Sequence, residues 1–256
     1  MARSSGRFSL EAFRHEALGD VGSTNTECLA RARAGDPGHL WVTATRQTSG
    51  RGRRGRTWTS EPGNLYASLL LLDPAPMERL GSLPLAVALA VHGAVSAVLP
   101  AGSPPVEVKW PNDILIRRRK TCGILIEGEQ LASGRHAIVI GIGINIRHMP
   151  DDAAYGVTRL EDHGFHASPD ELFARLFREM AAVLDSWDEG RGVTEISRKW
   201  LEVACGVGEK ITVKLTDRSV AGRFKGIDAQ GLLSLETGDG QILSIAAGDV
   251  FFARTE

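Results

Sequence analysis

Aromatic residues are scarce in this 256-residue sequence, at 6% of the chain. A protein that grips single-stranded nucleic acid by stacking needs aromatic platforms interleaved with positive charge, and few are on offer. An excess of charge is missing too. The formal net charge is −1, which excludes a surface that binds nucleic acid over its whole extent. Cysteine occurs only at Cys28, Cys122 and Cys205, an odd number with no C-x-x-C spacing, so neither a disulfide framework nor a structural zinc site is expected. No stretch of about 18 apolar residues goes uninterrupted, and residues 1–9 carry Arg3 and Arg7 without an apolar h-region. Neither a membrane span nor a signal peptide is therefore expected, and a reducing cytoplasm is the simplest compartment.

What is present is a globular mixture, 43% hydrophobic and 24% charged, sufficient for a buried core. The length suits one domain with a small appendage, or two modest domains. Residues 1–9 read as a flexible start. A strand is expected over 12–18, then a helix over 24–34 with Ser23 as its N-cap, then strands over 39–45 and 64–72. Residues 77–99, with Pro84 early, read as mainly helical, and apolar faces nearly all round predict that this helix is buried. Strands follow over 106–110, 114–116, 123–129 and 137–146. Ser168, Pro169 and Glu171 predict a capping box that opens a helix running to Trp187, and a further helix is expected over 193–203. From 207 the texture changes to short strands separated by glycine turns, over 210–215, 220–227, 232–236, 242–245 and 250–253, the pattern of a small antiparallel barrel. The expected division is 1–206 and 207–256. There is no internal repeat at solenoid spacing.

Three local patterns carry chemistry. The first is Gly50-Arg51-Gly52-Arg53-Arg54-Gly55-Arg56. It formally matches G-x-G-x-x-G, but the residues after it are turn-rich and lead into a strand rather than a helix, which argues against a dinucleotide-binding fold. Glycines let backbone N–H groups approach an anion, and arginines supply forked donors for carboxylate or phosphate oxygens. Such a loop can hold a carboxylate and a polyphosphate together despite their repulsion. A solvated basic loop, or a non-specific RNA contact, is the alternative, although neither needs the flanking Gln47 and Trp58.

The second is Lys109-Trp110-Pro111-Asn112-Asp113. Pro111 excludes an uninterrupted central strand, so the chain turns here and presents Asn112 and Asp113. This is ordinary turn chemistry, and Asp113 is also a candidate oxygen ligand for Mg²⁺. Further on, Lys120 ends the charged run 117–120 and abuts an apolar strand, which places it nearest the interior. Gly123 marks a close approach within that strand. Cys122, with no histidine beside it, reads as a small packed residue. The third pattern is Ile138-Val139-Ile140-Gly141-Ile142-Gly143-Ile144-Asn145-Ile146. Alternating glycines bare one face of a strand, leaving a groove for a flat group or simply a weakened core strand. Period-two alternation puts Asn145 on the same face, where its amide can pair with a purine edge.

Taken in order, Ser23-Thr24-Asn25, Gln47 with GRGRRGR, KWPND, the Lys120…Gly123 pair and GIGIN resemble the catalytic core of biotin protein ligases. The resemblance covers residues 20–205, and 207–256 resemble that family's C-terminal SH3-like barrel. It implies an α+β fold: a mixed β-sheet catalytic domain of the biotin/lipoate ligase type, followed by the barrel. It implies ATP and biotin as substrates, Mg²⁺ with the nucleotide, and a biotin carboxyl carrier domain as partner. By the same resemblance Ser23, Thr24, Asn25 and Gln47 hold the biotin ring, and Gly50, Gly52, Gly123 and Gly141 line its walls. Arg51, Arg53 and Lys120 act at the carboxylate and α-phosphate. Arg53, Arg56, Trp58, Asn112, Lys120 and Asn145 surround the nucleotide. Some family members carry an N-terminal DNA-binding domain; only 22 residues precede Ser23, so no operator binding is expected. A homodimer joined through sheet edges also occurs in the family, but the sequence does not identify the edge. The competing enzyme is a lipoate or octanoate ligase or transferase of the same fold, and outside enzymology the competitor is an RNA-binding protein using the arginine loop.

Overall fold

The computed structural model describes residues 6–150 and 156–252. The chain runs through β1 (Arg14–Val21), α1 (Thr24–Arg33), β2 (Leu40–Gln47), β3 (Leu65–Leu72), α2 (Leu83–Val98), β4 (Val106–Lys109), β5 (Asp113–Ile116), β6 (Arg119–Gln130), β7 (His136–Ile144), α3 (Pro169–Trp187) and α4 (Val193–Val203). It ends in β8 (Lys210–Lys214), β9 (Ser219–Ile227), β10 (Leu233–Glu236), β11 (Ile242–Ile245) and β12 (Asp249–Phe252).

The first seven strands make one mixed sheet, ordered β1-β2-β3-β7-β6-β5-β4. Only β1 and β2 are parallel. A parallel pair needs a crossover, and α1 supplies it. Every residue of β3 is buried, because both faces of the sheet are covered there. Ala67, Leu69 and Leu71 join α2 and α3 in the main core, whereas Leu70 and Leu72 join Cys28 and Ala32 of α1 in a smaller cluster. Helix α1 packs mainly on β2, β3 and β7 and touches β6 through polar side chains, Asn25 to Glu127 and Arg33 to Glu129. The same face over β6 and β5 is left for a cleft. The last five strands form an antiparallel sheet, ordered β11-β10-β9-β8-β12, of the SH3-like type.

Several expectations shift. The start is not flexible throughout: Phe8 is buried in the main core and Arg7 donates to the carbonyls of Leu72 (3.0 Å) and Asp73 (2.6 Å). Residues 1–5, and Ala253 of the last expected strand, lie outside the described residues. Strand β1 extends beyond the expected 12–18 as far as Val21, because its pairing with β2 continues to Gln47. Residues 77–82 form a 3-10 turn, and the α-helix begins at Leu83. Pro84 can sit only in a first turn, where its missing N–H costs nothing. The stretch Met77–Val98, the 3-10 turn plus α2, is long and apolar enough to suggest a membrane span, but α2 packs on α3, β4 and β5. The capping box at Ser168 forms as expected, with Ser168 Oγ accepting from Glu171 N–H at 3.3 Å and Glu171 Oε2 accepting from Ser168 N–H at 2.8 Å.

Candidate active site

A cavity of about 660 Å³ opens on the uncovered face of the large sheet, bounded by the N-terminus of α1, the arginine loop, the β4–β5 turn and β12 of the C-terminal sheet. One end is polar. Gln47 Oε1 accepts from the Thr24 N–H (2.9 Å) and hydroxyl (3.1 Å), and Gln47 Nε2 donates to Ser60 Oγ (3.0 Å). A side chain from β2 thus satisfies one of the backbone donors that a helix start leaves open. Ser23 occupies the N-cap with extended backbone, but its hydroxyl makes no capping bond; it lines the cavity instead. Beneath this end, fully buried Ser68 Oγ lies 2.7 Å from Thr24 Oγ1 and 2.6 Å from Asn25 Oδ1. Asn25 Nδ2 donates to Glu127 Oε2 at 2.7 Å, and Glu127 in turn pairs with Arg51 at 3.3 Å. A chain of polar contacts therefore links the buried floor to the arginine loop.

The middle of the cavity is bare backbone. Gly123 and Gly143 are direct partners across β6 and β7. The Trp58 indole lies on both, so that a Cβ on Gly123 would stand 2.9 Å from its Cζ3. Nε1 of Trp58 has no hydrogen-bond partner among the described residues. Gly141 leaves room for the Asn25 amide in the same way, since a Cβ there would stand 2.9 Å from Asn25 Cγ.

The far side is cationic. Lys120 Nζ lies 2.6 Å from Asp113 Oδ1 and 5.5 Å from the centroid of the Trp58 ring. Asn112 is held by its amide donating to the Ile124 carbonyl, and its Oδ1 accepts from Arg53 Nη1 at 2.7 Å. The arginine loop is a tight hairpin: Arg51 and Thr57 bridge, Gly52 N–H donates to the Arg56 carbonyl at 2.7 Å, and Arg54 and Gly55 take positive φ at the tip. Burial lowers the pKa of Lys109, against a smaller opposing pull from Asp113; its ammonium faces the rings of Phe251 and Phe252 at 5.9 and 5.7 Å. Burial likewise raises the Cys122 thiol well above its ordinary range, which suits a packed residue. No group of three or more His, Cys, Asp or Glu fit to hold a metal exists among the described residues.

Two family models match the chain: the biotin/lipoate A/B protein ligase family over residues 22–145, and the biotin protein ligase C terminal domain over residues 206–253. A biotin--[acetyl-CoA-carboxylase] ligase of Paracoccus denitrificans is 35% identical, over 92% of this chain and 99% of its own length. The chain belongs to the biotin protein ligases. A bifunctional ligase/repressor BirA of Bacillus subtilis is 31% identical over 92% of this chain, which spans 72% of that protein. Among solved structures, a biotin protein ligase from Aquifex aeolicus in complex with biotin and ATP is 28% identical, with a TM-score of 0.79 over 94% of this chain and 99% of that one.

In this ligase most of the residues singled out in the sequence line one cavity: Ser23, Thr24, Asn25, Gln47, Arg51, Gly52, Arg53, Arg56, Trp58, Asn112, Asp113, Lys120, Gly123 and Gly141. Two do not line it. Gly50 is packed behind the wall, where its carbonyl accepts from Trp58 N–H at 2.9 Å. Asn145, just after β7, is buried outside the lining, and its amide donates to the Thr158 carbonyl at 3.3 Å. Asp113, the candidate metal ligand, faces Lys120. Residues that the sequence reading did not single out also meet at or beside the cavity: Ser68, Arg118, Glu127, Asp249 and the Phe251–Phe252 pair. Ser68 carried a signal, as the one small polar residue in the Leu65–Leu72 run. Asp249 carried none, since its role depends on how the C-terminal sheet docks.

Proposed function

We propose that the protein joins biotin to ATP as biotinyl-5′-AMP and transfers the biotinyl group to a lysine of a biotin carboxyl carrier domain. One observation carries this reading. A hydrogen-bonding end (Ser23, Thr24, Gln47) and a cationic side (Lys120, Arg51, Arg53, Arg56) open into the same cavity, as a neutral polar ring with an anionic tail beside a polyphosphate requires. The liganded relative from Aquifex aeolicus holds that pair of substrates.

In the first step a biotin carboxylate oxygen bonds to the α-phosphorus, and the bond to pyrophosphate breaks. Lys120 and Arg53 are placed to offset charge on the carboxylate and α-phosphate oxygens, which is positioning and electrostatic stabilisation rather than covalent catalysis. A Mg²⁺ carried by the nucleotide would offset charge on the departing pyrophosphate. Mg²⁺ typically takes one or two carboxylates and keeps its phosphates and waters; Asp113, with Asn112 beside it, is the oxygen donor at hand. In the second step the unprotonated amine of the carrier lysine attacks the acyl carbon, AMP departs, and an amide forms. The arginine loop covers the mixed anhydride from water meanwhile. With the division at residue 206, the first part supplies most of the cavity, and β12 of the appended barrel closes one side of it. ATP and three free, buried cysteines favour a cytoplasmic site of action.

The test is direct. Purified protein with MgATP and biotin should give a mass for biotinyl-AMP, and a purified carrier domain should then gain biotin. Lipoyl-AMP formed in preference, with no biotinyl-AMP, would transfer the assignment to the lipoate branch of the fold.

A further inference from the structure

The C-terminal sheet brings two aromatic rings to a lysine of the large sheet. Phe251 and Phe252 end β12, and both line the cavity together with Lys109. The Lys109 ammonium stands 5.7 Å from the centroid of the Phe252 ring and 5.9 Å from that of Phe251. Two further contacts fix the Phe252 ring. The Arg118 guanidinium lies over it at 4.6 Å. The ring also packs on the bare backbone of Gly206, where a Cβ would collide with Phe252 Cε1. The two cations differ in what else holds them. Arg118 pairs with Glu209 at 2.5 Å. Among the described residues no carboxylate pairs with Lys109, and Asp113 lies against Lys120 at 2.6 Å.

We propose that Phe252, aided by Phe251, is a positioning residue that holds the Lys109 ammonium at the cleft for a phosphate group of the nucleotide. A ring face attracts a cation through its quadrupole. It directs the charge without cancelling it, whereas a carboxylate would do both. Lys109 therefore keeps a whole positive charge for an arriving anion. Burial, the main cause of its lowered pKa, strengthens the pull, because a part-buried ammonium is costly until it is paired. Lysine presents a compact point charge, which suits a phosphate oxygen. The hydrogen-bonding end of the cavity lies elsewhere, at Thr24 and Gln47. This inference rests on the reading of the cleft as the nucleotide site.

The probe is α,β-methylene-ATP, which cannot release pyrophosphate, titrated by calorimetry with Mg²⁺ and biotin present. Phe252→Leu keeps apolar bulk and removes the ring face. It should weaken binding of the analogue by about 3- to 10-fold, the range of one cation–π contact, and leave the affinity for biotin alone unchanged. Phe252→Tyr keeps the face and should keep the affinity. In a Lys109→Met background, itself weakened, adding Phe252→Leu should have no further effect, since the two residues then share one interaction. Phe251→Leu changes a ring that is 53% exposed. It repeats the comparison in case Phe252→Leu folds poorly, and should give a smaller loss that also vanishes over Lys109→Met. Unchanged affinity for the analogue in both leucine variants would overturn the proposal. So would a loss that persists over Lys109→Met, which would leave the rings a docking role only, or an equal loss of biotin affinity. Failure of the function reading would show separately, as no acyl-adenylate from the unsubstituted protein given MgATP and biotin.

Discussion

The indole of Trp58 lies on the bare backbone of Gly143, where a Cβ would stand 2.6 Å from Cε2 and 2.9 Å from Cζ2. The ring therefore occupies volume that any side chain at 143 would claim. Gly143→Ala should push Trp58 off the floor. Overpacking of this kind typically costs about 1–3 kcal/mol, and here the surface loop that carries Trp58 absorbs it. The expected outcome is a fold of near-normal melting temperature whose affinity for biotin plus nucleotide falls roughly tenfold. Titration calorimetry reads the affinity, and emission from Trp58, isolated by difference against Trp58→Phe, reads the displacement. Unchanged emission and affinity together would show that the ring and the glycine are not in competition.

Lys120 and Asp113 form the tightest ion pair inside the cavity, at 2.6 Å. A substrate anion arriving beside Lys120 meets a cation whose direction is already set by Asp113. Lys120→Ala should slow biotinyl-AMP formation by about 10²–10³-fold, the range for loss of one preorganised charge-stabilising group, with secondary structure intact by circular dichroism. Single-turnover mass measurement checks it. Adenylation within a few-fold of the unsubstituted rate would remove Lys120 from the chemical step.

Ser68 has no contact with solvent and faces Thr24 and Asn25. Ser68→Ala leaves buried polar partners short of a bond, a loss of about 1–3 kcal/mol, readable as a lower midpoint in urea. It should also weaken biotin binding, because Thr24 and Asn25 then lose the contact that orients them. A normal biotin affinity at reduced stability would confine Ser68 to a structural role.

Much of this site was legible before any coordinates, for a physical reason. Glycine at 123, 141 and 143, proline at 111 and the arginine loop are residue types whose backbone or charge properties are local, so the sequence displays them directly. Likewise the Ser168–Glu171 box depends on residues three apart. What was hidden depends on distant pairing. Asn145 spends its amide on the Thr158 carbonyl, a partner that alternation along β7 cannot reveal. Ser23 looked like a helix cap, yet Gln47, brought alongside by β1–β2 pairing, serves the helix start instead. Asp249 and Phe251 enter the cavity only because the second sheet docks there, and nothing in their own neighbourhood announces it.

Acid should destabilise the fold earlier than its carboxylates alone require. Burial lowers the pKa of His15, His39, His92 and His163 below the ordinary 6.5. The native state then binds fewer protons than the unfolded chain over the interval between the two values. Stability is accordingly complete above pH 6.5 and is lost as the pH falls through the lowered native values. His92, on α2, has its ring 3.1 Å from the Val106 carbonyl of β4, and burial is the main cause of its lowered pKa. The melting temperature should fall between about pH 7.5 and pH 5.5, and His92→Gln should flatten part of that fall. A flat profile across this window would mean that the imidazoles protonate without cost.

Arg53 is the residue where the flap, the β4–β5 turn and the C-terminal sheet meet: it donates to Asn112 at 2.7 Å and to the Gly248 carbonyl at 2.6 Å, and pairs with Asp249 at 3.3 Å. Arg53→Gly removes all three ties at once and adds backbone freedom at the loop. Loss of a part-buried, hydrogen-bonded charge acts mainly on departure, and about 2–5 kcal/mol corresponds to release faster by roughly 30-fold or more. Adenylation should then continue while the reactive anhydride escapes, so lysines on unrelated protein become labelled; streptavidin blotting of added serum albumin measures it. Arg53 also ties the loop to the β4–β5 turn at Asn112, so without it the loop stays loose in the loaded enzyme too.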